Sequence, residues 1–383
     1  MLNRLKEKIY GSVNFEKIAE AGTGELFFTG LRGSLGSFLV NYLSASHGKI
    51  VYCSNDHTKL FRLKDDINLL AGSEAAMLYI SQFDEEFEAD ISPLSLALRK
   101  LSGEENFILL TTPETLNKSI LSEDSFSKNI ISVSAGAELD FEEFVTRLNS
   151  YGFTRKKMVE EENDFAVRGG IVDIYPENLR QPVRLEFFGN TVESIREFDL
   201  ATQRSIAKIT GVEILPSVEA LDEMQSPHEK LINYLKPDTF ILLDEPDLIK
   251  KDNEDIYFAS VKYRRSYISG FPLVKSEAIP EADKPGITEI VFDAKSQPPF
   301  NSNTRHFTDN LKQLSREGFS IFISCSDDYQ LKRMKELVEE LDEASELEGV
   351  NYLSGSIHEG FILPDAKTAV YTEHEVFSRY FRP

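Results

Sequence analysis

Short apolar runs alternate with amphipathic segments along the first part of the chain. Residues 25–54 contain the series ELFFTG, LRGSLG, SFLVNYLSAS and KIVYCS, which predicts a strand, a glycine-rich turn, a helix and a second strand. Another apolar run, FILLTT at 107–112, precedes the helix-like segment PETLNKSIL. Strands that alternate with helices predict a parallel sheet, and therefore an α/β domain.

The pattern changes near residue 130. A helical period at Asp140–Leu148 is followed by four closely spaced strand-like segments, DFAVRG, IVDIYP, PVRLEFFG and TVESIREFD. The pair Gly189-Asn190 marks a hairpin turn between the last two of them. Because short connections require antiparallel pairing, an α+β module is predicted to be inserted into the α/β chain.

The α/β rhythm resumes near Pro216, with the strand FILLD at 240–244. A polar, proline-bearing stretch at 279–286 precedes a last series of helices and strands, HFTDNLKQLSREG, FSIFISC, DDYQLKRMKELVEELDE, NYLSGS and TAVYTEH. The chain is therefore predicted to have four parts: an α/β domain at 1–129, the inserted module at 130–216, the remainder of the first domain at 217–284 and a further small α/β domain at 285–383.

Composition narrows the class of protein. Hydrophobic residues make up 41% of the chain, and no run of about 18 apolar residues predicts a membrane span. The opening MLNRLKEKIYGSVNFEKI predicts an amphipathic helix rather than a signal peptide. Cys53 and Cys325 lie in apolar runs, so buried free thiols in a reducing cytosol are expected. The histidines and cysteines show no metal-ligand spacing, so no metal site is expected.

The formal net charge of −22 argues against one class of partner. Nonspecific binding to nucleic acid needs clustered Lys and Arg, so weak affinity for DNA is expected, although a local basic face is compatible with the sequence. Two acidic runs, Asp84–Asp90 and Glu336–Glu348, are either solvated surfaces or partner-binding surfaces. Apolar residues at helical spacing in the second run predict an ordinary amphipathic helix.

A glycine-rich turn at Gly30–Ser37 stands where a phosphate-binding loop would stand, between a strand and a helix. A working loop has the form GxxxxGK[ST], in which the lysine neutralises phosphate oxygens and the hydroxyl holds Mg²⁺. Leu35 replaces the second glycine of that pattern and Gly36 replaces the lysine. The missing lysine removes a charge-assisted contact of about 1.5–3 kcal/mol, so a structural turn is preferred over an ATP site.

An acidic pair that would complete a nucleotide site ends the apolar strand at 240–244. In a working site Asp244 would face Mg²⁺ and Glu245 would activate water. The degenerate nucleotide loop then consists of Gly30, Gly33, Gly36 and Ser37, together with Asp244 and Glu245. This combination predicts an inherited nucleotide fold whose chemistry has gone, so no catalytic residue and no cofactor is expected.

The segment Asp164–Ser205 carries the most specific pattern in the chain, RGGIVDIYP followed by RLEFFG, ESIREFD and TQRS. It resembles the signature shared by the excision-repair protein UvrB and the transcription-repair coupling factors (Mfd). The ending TQRS favours the coupling factors, and so does HEGFILPDAKTAVYTEHEVFSRYF near residue 383. The resemblance covers most of the chain, weakly at 1–130 and strongly at 164–216 and 358–380.

The resemblance implies degenerate P-loop, RecA-like domains homologous to UvrB at 1–129 and 217–284. The module at 130–216 would be the UvrA-docking module, and the resemblance gives no role to the domain at 285–383. UvrB carries an intact phosphate loop and a tyrosine-rich hairpin that grips DNA. Residues 55–105 show no such hairpin sequence, which favours the coupling factors. The family's RNA polymerase-binding domain and ATP-dependent DNA translocase motor would lie after residue 383.

Alternation along PVRLEFFG divides this strand into two faces. One is apolar and is predicted to be a core face, with Val183, Leu185 and Phe187. The other carries Arg184, Glu186 and Phe188. An exposed aromatic residue beside an arginine has the composition of an interface hot spot. The alternative is that the module's own helix covers Phe188.

Arg168 precedes Gly169-Gly170, a turn that can present its side chain outward. By the resemblance, Arg168, Arg184 and Phe188 match positions on the UvrA-binding surface of the family. Arg196 and Arg204 are weaker candidates.

The resemblance implies a non-catalytic fragment that recruits UvrA to a stalled RNA polymerase by imitating UvrB, in transcription-coupled nucleotide excision repair. RNA polymerase and DNA would be bound only through domains after residue 383. A cytoplasmic location and no membrane partner are expected. Two alternatives stay open. One is a UvrB-like helicase-type ATPase, which the missing lysine at position 36 opposes. The other is a scaffold whose last domain binds an unknown partner.

Overall fold

The computed structural model describes residues 1–22, 24–82, 91–222, 227–270, 287–342, 345–347 and 349–377. The acidic run at Asp84–Asp90 and the polar stretch at 279–286 lie outside these residues. The chain divides into two compact units. The first comprises Met1–Asp90, Asn106–Leu116 and Lys236–Pro383, and the second comprises Ile91–Glu105 and Asn117–Leu235.

The helices in the described ranges are α1 (Leu2–Tyr10), α2 (Val13–Glu20), α3 (Leu35–His47), α4 (His57–Ala71), α5 (Leu94–Ser102), α6 (Pro113–Asn117), α7 (Glu123–Lys128), α8 (Phe141–Ser150), α9 (Val218–Asp222), α10 (Pro246–Asp252), α11 (Glu254–Ala259), α12 (Thr304–Arg316), α13 (Asp328–Leu341) and α14 (Glu373–Phe377). Short 3-10 turns lie at Leu231–Tyr234 and Ser260–Lys262.

The strands in the same ranges are β1 (Glu25–Thr29), β2 (Lys49–Cys53), β3 (Ala76–Leu78), β4 (Phe107–Thr111), β5 (Ser119–Leu121), β6 (Ile131–Ser134), β7 (Thr154–Arg155), β8 (Asp164–Arg168), β9 (Ile171–Ile174), β10 (Val183–Phe188), β11 (Thr191–Phe198), β12 (Ser205–Ile209), β13 (Gly211–Ile214), β14 (His228–Lys230), β15 (Phe240–Asp244), β16 (Arg264–Ser269), β17 (Ile287–Val291), β18 (Ser320–Cys325), β19 (Asn351–Ser354), β20 (Phe361–Leu363) and β21 (Thr368–Thr372).

The main sheet of the first unit is parallel, as the alternation of strands and helices predicts. In the described part of the chain its seven strands run in the order β17-β1-β16-β15-β2-β4-β3, and every pair is parallel. The strands β2 and β15 are buried along their whole length. Continuous apolar runs such as KIVYC and FILLD are expected for strands that are covered on both faces.

A second, smaller sheet lies in the last part of the first unit, with the strand order β19-β18-β21-β20. Its core takes residues from α12 and α13, including Leu311 and Val338. The helix α13 buries Met334 and Val338. The acidic side chains within this helix, on Glu336, Glu339 and Glu340, are exposed on its outer side, as the amphipathic pattern predicts.

The second unit contains the inserted α+β module. Within the described residues its sheet has six strands in the order β12-β11-β10-β9-β8-β7, and the pairs from β8 to β12 are antiparallel. Gly189-Asn190 forms the hairpin turn between β10 and β11, and the φ of +61° at Gly189 explains the glycine. The helix α8 begins where the Asp140 carboxylate accepts the amide hydrogen of Glu143.

Two local predictions are wrong in their extent. The helix expected over PETLNKSIL ends at Asn117, and the residues Ser119–Leu121 form a strand that pairs with β14. A strand that arrives from about a hundred residues away in sequence overrides the local helical preference here. The single helix expected at the start of the chain is two helices, because the backbone of Ser12 is extended (φ −79°, ψ 156°) between α1 and α2.

The division at 1–129, 130–216, 217–284 and 285–383 stays a prediction, and two placements bear on it. The strand β17 lies inside the expected last part, but it pairs with β1 of the main sheet. The helix α5 lies inside the expected first part, but it belongs to the second unit, where Arg99 Nε donates to Glu213 Oε2 at 2.8 Å.

Both cysteines are buried free thiols, as the apolar runs around them predict. Burial raises the pKa of Cys325 to about 12. Burial, with a smaller effect of the nearby Asp244 carboxylate, also raises the pKa of Cys53. No helix in the described ranges is long and apolar enough to span a membrane.

The substitution Leu185→Ala is predicted to lower the unfolding free energy of the module by about 2–5 kcal/mol, because it leaves a cavity in a packed core. Leu185 is fully buried, whereas Phe188 is 75% exposed. Phe188→Ala on the same strand is therefore the control, with an expected change within about 0.5 kcal/mol. Urea unfolding followed by circular dichroism compares the two. Equal losses of stability would contradict the assignment of faces.

Candidate functional site

One face of the six-stranded sheet is polar and rich in cations. The strand register sets Arg184 opposite Asp173 on β9 and Arg196 on β11, and sets Arg196 opposite Lys208 on β12. Residues that face each other across neighbouring strands project to the same side of a sheet. We name this surface the basic face, and it comprises Arg168, Asp173, Arg184, Glu186, Phe188, Arg196 and Lys208. Four of these residues are cationic and two are anionic, so the face opposes the chain's net charge of −22.

A buried carboxylate organises the basic face. The side chain of Asp173 is only 1% exposed, and it accepts hydrogen bonds from Arg184 Nε at 2.6 Å and from Arg184 Nη2 at 2.9 Å. Arg168 Nη2 donates to the same carboxylate. The hydrogen bonds to Asp173 raise the pKa of Arg184 above its ordinary value. Two-point contacts of this kind hold a guanidinium in one orientation.

Arg184 lies deeper than the alternation along PVRLEFFG predicts. Its guanidinium carbon stacks 4.9 Å above the ring of Phe198, a fully buried residue that clusters with Val159 and Ala166. The Arg184 side chain is consequently only 15% exposed. The cause is Asp173, a single acid inside the apolar strand IVDIYP. Asp173 is not among the residues predicted from the sequence, although an acid in such a strand is a signal for a buried ion pair.

Phe188 is the exposed aromatic residue of the face. Its neighbour Phe187 packs on α8, with ring centroids 5.2 Å from Phe141 and 5.9 Å from Phe144. Phe188 points to the opposite side and is 75% exposed. In this structure the module's helix therefore covers Phe187 and leaves Phe188 free for contact with another molecule.

The double glycine in RGGIVDIYP holds Arg168 at the same end of the sheet as Phe188. A Cβ on Gly170 would lie 2.6 Å from the carbonyl oxygen of Phe187, whose amide donates to the Gly170 carbonyl at 2.7 Å. Only glycine permits this approach of turn to strand. Arg168 itself keeps 49% of its side chain exposed.

The two weaker candidates differ in position. Arg196 belongs to the basic face, and its Nη2 lies 3.6 Å from Glu186 Oε2. Arg204 precedes β12 at the opposite end of the sheet, where its carbonyl accepts the amide hydrogen of Asp199. The structure thus brings together Arg168, Arg184, Phe188 and Arg196, and it does not bring Arg204 to them.

In the degenerate nucleotide loop, the residue at the second glycine position and the hydroxyl that would hold Mg²⁺ both make internal contacts. Leu35, at the position of the second glycine, is fully buried at the start of α3. A Cβ on Gly36, the position of the lysine, would meet no atom within 4 Å. Ser37 is buried and donates to Asp66 Oδ2 at 3.0 Å, so the hydroxyl that would hold Mg²⁺ is already committed.

An internal cation neutralises the acid that would face a metal ion. Lys59 Nζ on α4 lies 2.7 Å and 2.9 Å from the two carboxylate oxygens of the buried Asp244, and Ser54 Oγ donates to Asp244 at 2.7 Å. Burial and the nearby Asp244 raise the pKa of Tyr52 well above its ordinary value. Lys59 is not among the residues predicted from the sequence, because nothing in its local surroundings links it to Asp244, 185 positions away.

Glu245 is also engaged. It has a φ of +52°, and its carboxylate accepts the amide hydrogen of Gly270 at 2.8 Å and the hydroxyl of Ser269 at 3.1 Å. Elsewhere among the described residues, no three His, Cys, Asp or Glu side chains converge on a position for a metal ion. Asp244 and Glu245 are therefore both bonded to groups of the chain itself, which favours a structural role for this acidic pair.

Several known proteins are similar in sequence to this chain. Residues 131–219 match the family described as the UvrB interaction domain. The chain is 25% identical over 257 residues to the transcription-repair-coupling factor of Bacillus subtilis. It is 27% identical over 238 residues to that of Staphylococcus epidermidis, and 20% identical over 449 aligned residues to that of Staphylococcus aureus. The resemblance predicted from RGGIVDIYP is confirmed.

The chain is similar to the transcription-repair coupling factors. The three matches include 65%, 58% and 93% of this chain but only 21%, 20% and 38% of the respective coupling factors. The chain therefore corresponds to well under half the length of these proteins. A crystal structure of the DUF1998 helicase MrfA bound to DNA covers 87% of this chain and 34% of the helicase. The identity is 8% and the TM-score is 0.31, a likeness too slight to inform the fold of this chain.

The chain is predicted not to bind nucleotide. Gly36 stands where the phosphate-binding lysine would stand, and Asp244 already forms an ion pair with Lys59. Titration of the whole chain with a fluorescent ATP analogue and Mg²⁺ should show no saturable binding in the micromolar range. Asp244→Asn is the companion variant. Micromolar binding to the natural chain that disappears in Asp244→Asn would contradict this prediction and favour the UvrB-like ATPase.

Proposed function

We propose that the chain recruits UvrA through the basic face of its UvrB interaction domain, and that it thereby serves transcription-coupled nucleotide excision repair. The proposal rests on the exposed Phe188, which lies on the same face of the sheet as two arginines that a buried carboxylate holds in place. All of these residues lie within 131–219, the part that matches the UvrB interaction domain.

The basic face has the physical properties of a binding hot spot. An exposed aromatic ring supplies a large apolar contact area at a small loss of side-chain entropy, and aromatic residues and arginine are enriched at such positions. Asp173 fixes the guanidinium of Arg184, so less freedom is lost when a partner binds. We infer that Arg184 positions the face from within, while Arg168 and Phe188 touch the partner.

Charge adds selectivity to this surface. The chain carries a net charge of −22, which disfavours approach by acidic molecules in general. The cations Arg168, Arg196 and Lys208, which are spread across one face of the sheet, instead attract an acidic surface that is presented to this face. UvrA is therefore proposed to offer carboxylates around an apolar pocket that receives Phe188.

The proposal assigns no chemistry to this chain. Lys59, Ser269 and the amide of Gly270 engage Asp244 and Glu245, which supports a structural role for the degenerate loop. By the resemblance to coupling factors, we assign contacts with RNA polymerase and DNA, and ATP-dependent translocation, to parts of a full-length protein that this chain does not match.

Phe188→Ala is expected to weaken the binding of purified UvrA about thirtyfold, which corresponds to about 2 kcal/mol for the truncation of an interface anchor. Calorimetric or interferometric titration of the whole chain measures the dissociation constant. Phe258→Ala is the matched control, because Phe258 is an exposed phenylalanine (54%) on α11, outside the UvrB interaction domain.

A dissociation constant that Phe188→Ala leaves unchanged would remove Phe188 from the proposed interface. Equal losses in Phe188→Ala and Phe258→Ala would indicate a nonspecific effect of removing surface aromatic residues. Arg168→Ala should cause a smaller loss than Phe188→Ala, because its guanidinium is partly solvated and lies at the rim of the face.

A further inference from the structure

The motif His358-Glu359-Gly360-Phe361 opens the last strand pair of the first unit, and the proposed function does not use it. This segment lies against the degenerate nucleotide loop. The amide of Ser34 donates to the Glu359 carbonyl at 2.9 Å, and the amide of Glu359 donates to Ser34 Oγ at 3.0 Å. We propose that the degenerate loop is a peptide-docking socket, whose ligand is the chain's own segment 357–361.

Glycine makes the approach of the two backbones possible. Gly33 has a φ of +50°, and a Cβ there would lie 2.3 Å from the carbonyl oxygen of Gly360 and 2.9 Å from that of Glu359. Phosphate-binding turns use glycine in the same way, so that amide groups can reach phosphate oxygens. In this chain the Ser34 amide meets a peptide carbonyl oxygen instead of a phosphate oxygen.

A buried acid gives the socket its selectivity. Asp66 on α4 is almost fully buried, and its Oδ1 lies 2.9 Å from both the amide nitrogen and the ring Nδ1 of His358. The other oxygen, Oδ2, accepts the hydroxyl of Ser37. One carboxylate therefore joins the loop to the docked segment, and the neighbouring Asp65 lies 3.5 Å from His358 Nε2.

An aromatic contact completes the docking. The ring of Phe361 lies 5.7 Å from that of Phe38 in an edge-to-face arrangement, and both side chains are fully buried. The ligand of the socket is thus the peptide His358-Glu359-Gly360-Phe361. The socket contacts its histidine side chain, the backbone carbonyl of Glu359, the glycine and the phenylalanine ring. In this proposal the glycine-rich turn holds the segment that leads into β20 and β21.

The test is amide hydrogen exchange in the whole chain, with each side of the socket observed while the other is changed. In His358→Ala, the exchange of the Ser34 amide should become about ten- to a hundredfold faster, the factor that corresponds to losing a hydrogen bond to a charged group. His358 is not the acceptor for that amide, so faster exchange reports the release of the segment. Protection of β18 should stay unchanged.

The reciprocal variant is Ser34→Ala, which should accelerate exchange of the His358 amide, whose acceptor is Asp66. The matched controls are His306→Ala on α12 and Ser46→Ala on α3, both exposed and outside the socket, and they should leave all of these amides unchanged. Unchanged exchange at Ser34 in His358→Ala would overturn the proposal. Equal acceleration throughout β18 would overturn it too, because the contact would then belong to one cooperative core rather than to a docking site.

Discussion

Among the carboxylates that are almost completely removed from solvent, three lie in the two candidate regions, on Asp66, Asp173 and Asp244. A buried carboxylate destabilises a fold unless hydrogen bonds or cations compensate it. Each of the three is compensated by groups of the chain itself: Asp173 by two arginines, Asp244 by Lys59 and Ser54, and Asp66 by Ser37 and His358. This constraint determines the geometry of both regions that sequence patterns singled out.

The compensation of buried carboxylates has different consequences in the two units. On the six-stranded sheet, Asp173 orients arginines at a surface that keeps Phe188 exposed, which favours recognition of another protein. In the first unit, Lys59 and His358 satisfy acids around the degenerate loop, which favours internal cohesion over the binding of a phosphate or a metal ion. The donors and acceptors around the glycine-rich turn thus serve contacts between the chain's own elements.

Local patterns predicted much of this architecture. Period-2 alternation predicted β8 to β11, Gly189-Asn190 predicted the hairpin between β10 and β11, and the alternation of apolar runs with helices predicted a parallel main sheet, because each of these patterns can be recognised within short windows of sequence. The pairing of Asp244 with Lys59 and the addition of β17 to the main sheet depend on residues brought together across 185 or more positions. No window of sequence contains both partners of such contacts, so the occupation of Asp244 emerged only from the fold. The burial of Arg184 differs, because Asp173 lies only 11 positions away and its place in an apolar strand is a local signal.

We propose that this chain, which is similar to the coupling factors, presents to UvrA the surface that UvrB presents. The most direct measurement is competition: labelled chain is bound to saturating UvrA, and unlabelled UvrB is added in excess while bound label is followed by anisotropy. The account predicts that UvrB releases all of the bound chain, because both proteins occupy one site. A stable complex that contains UvrA, UvrB and the chain, with the label fully retained, would contradict it.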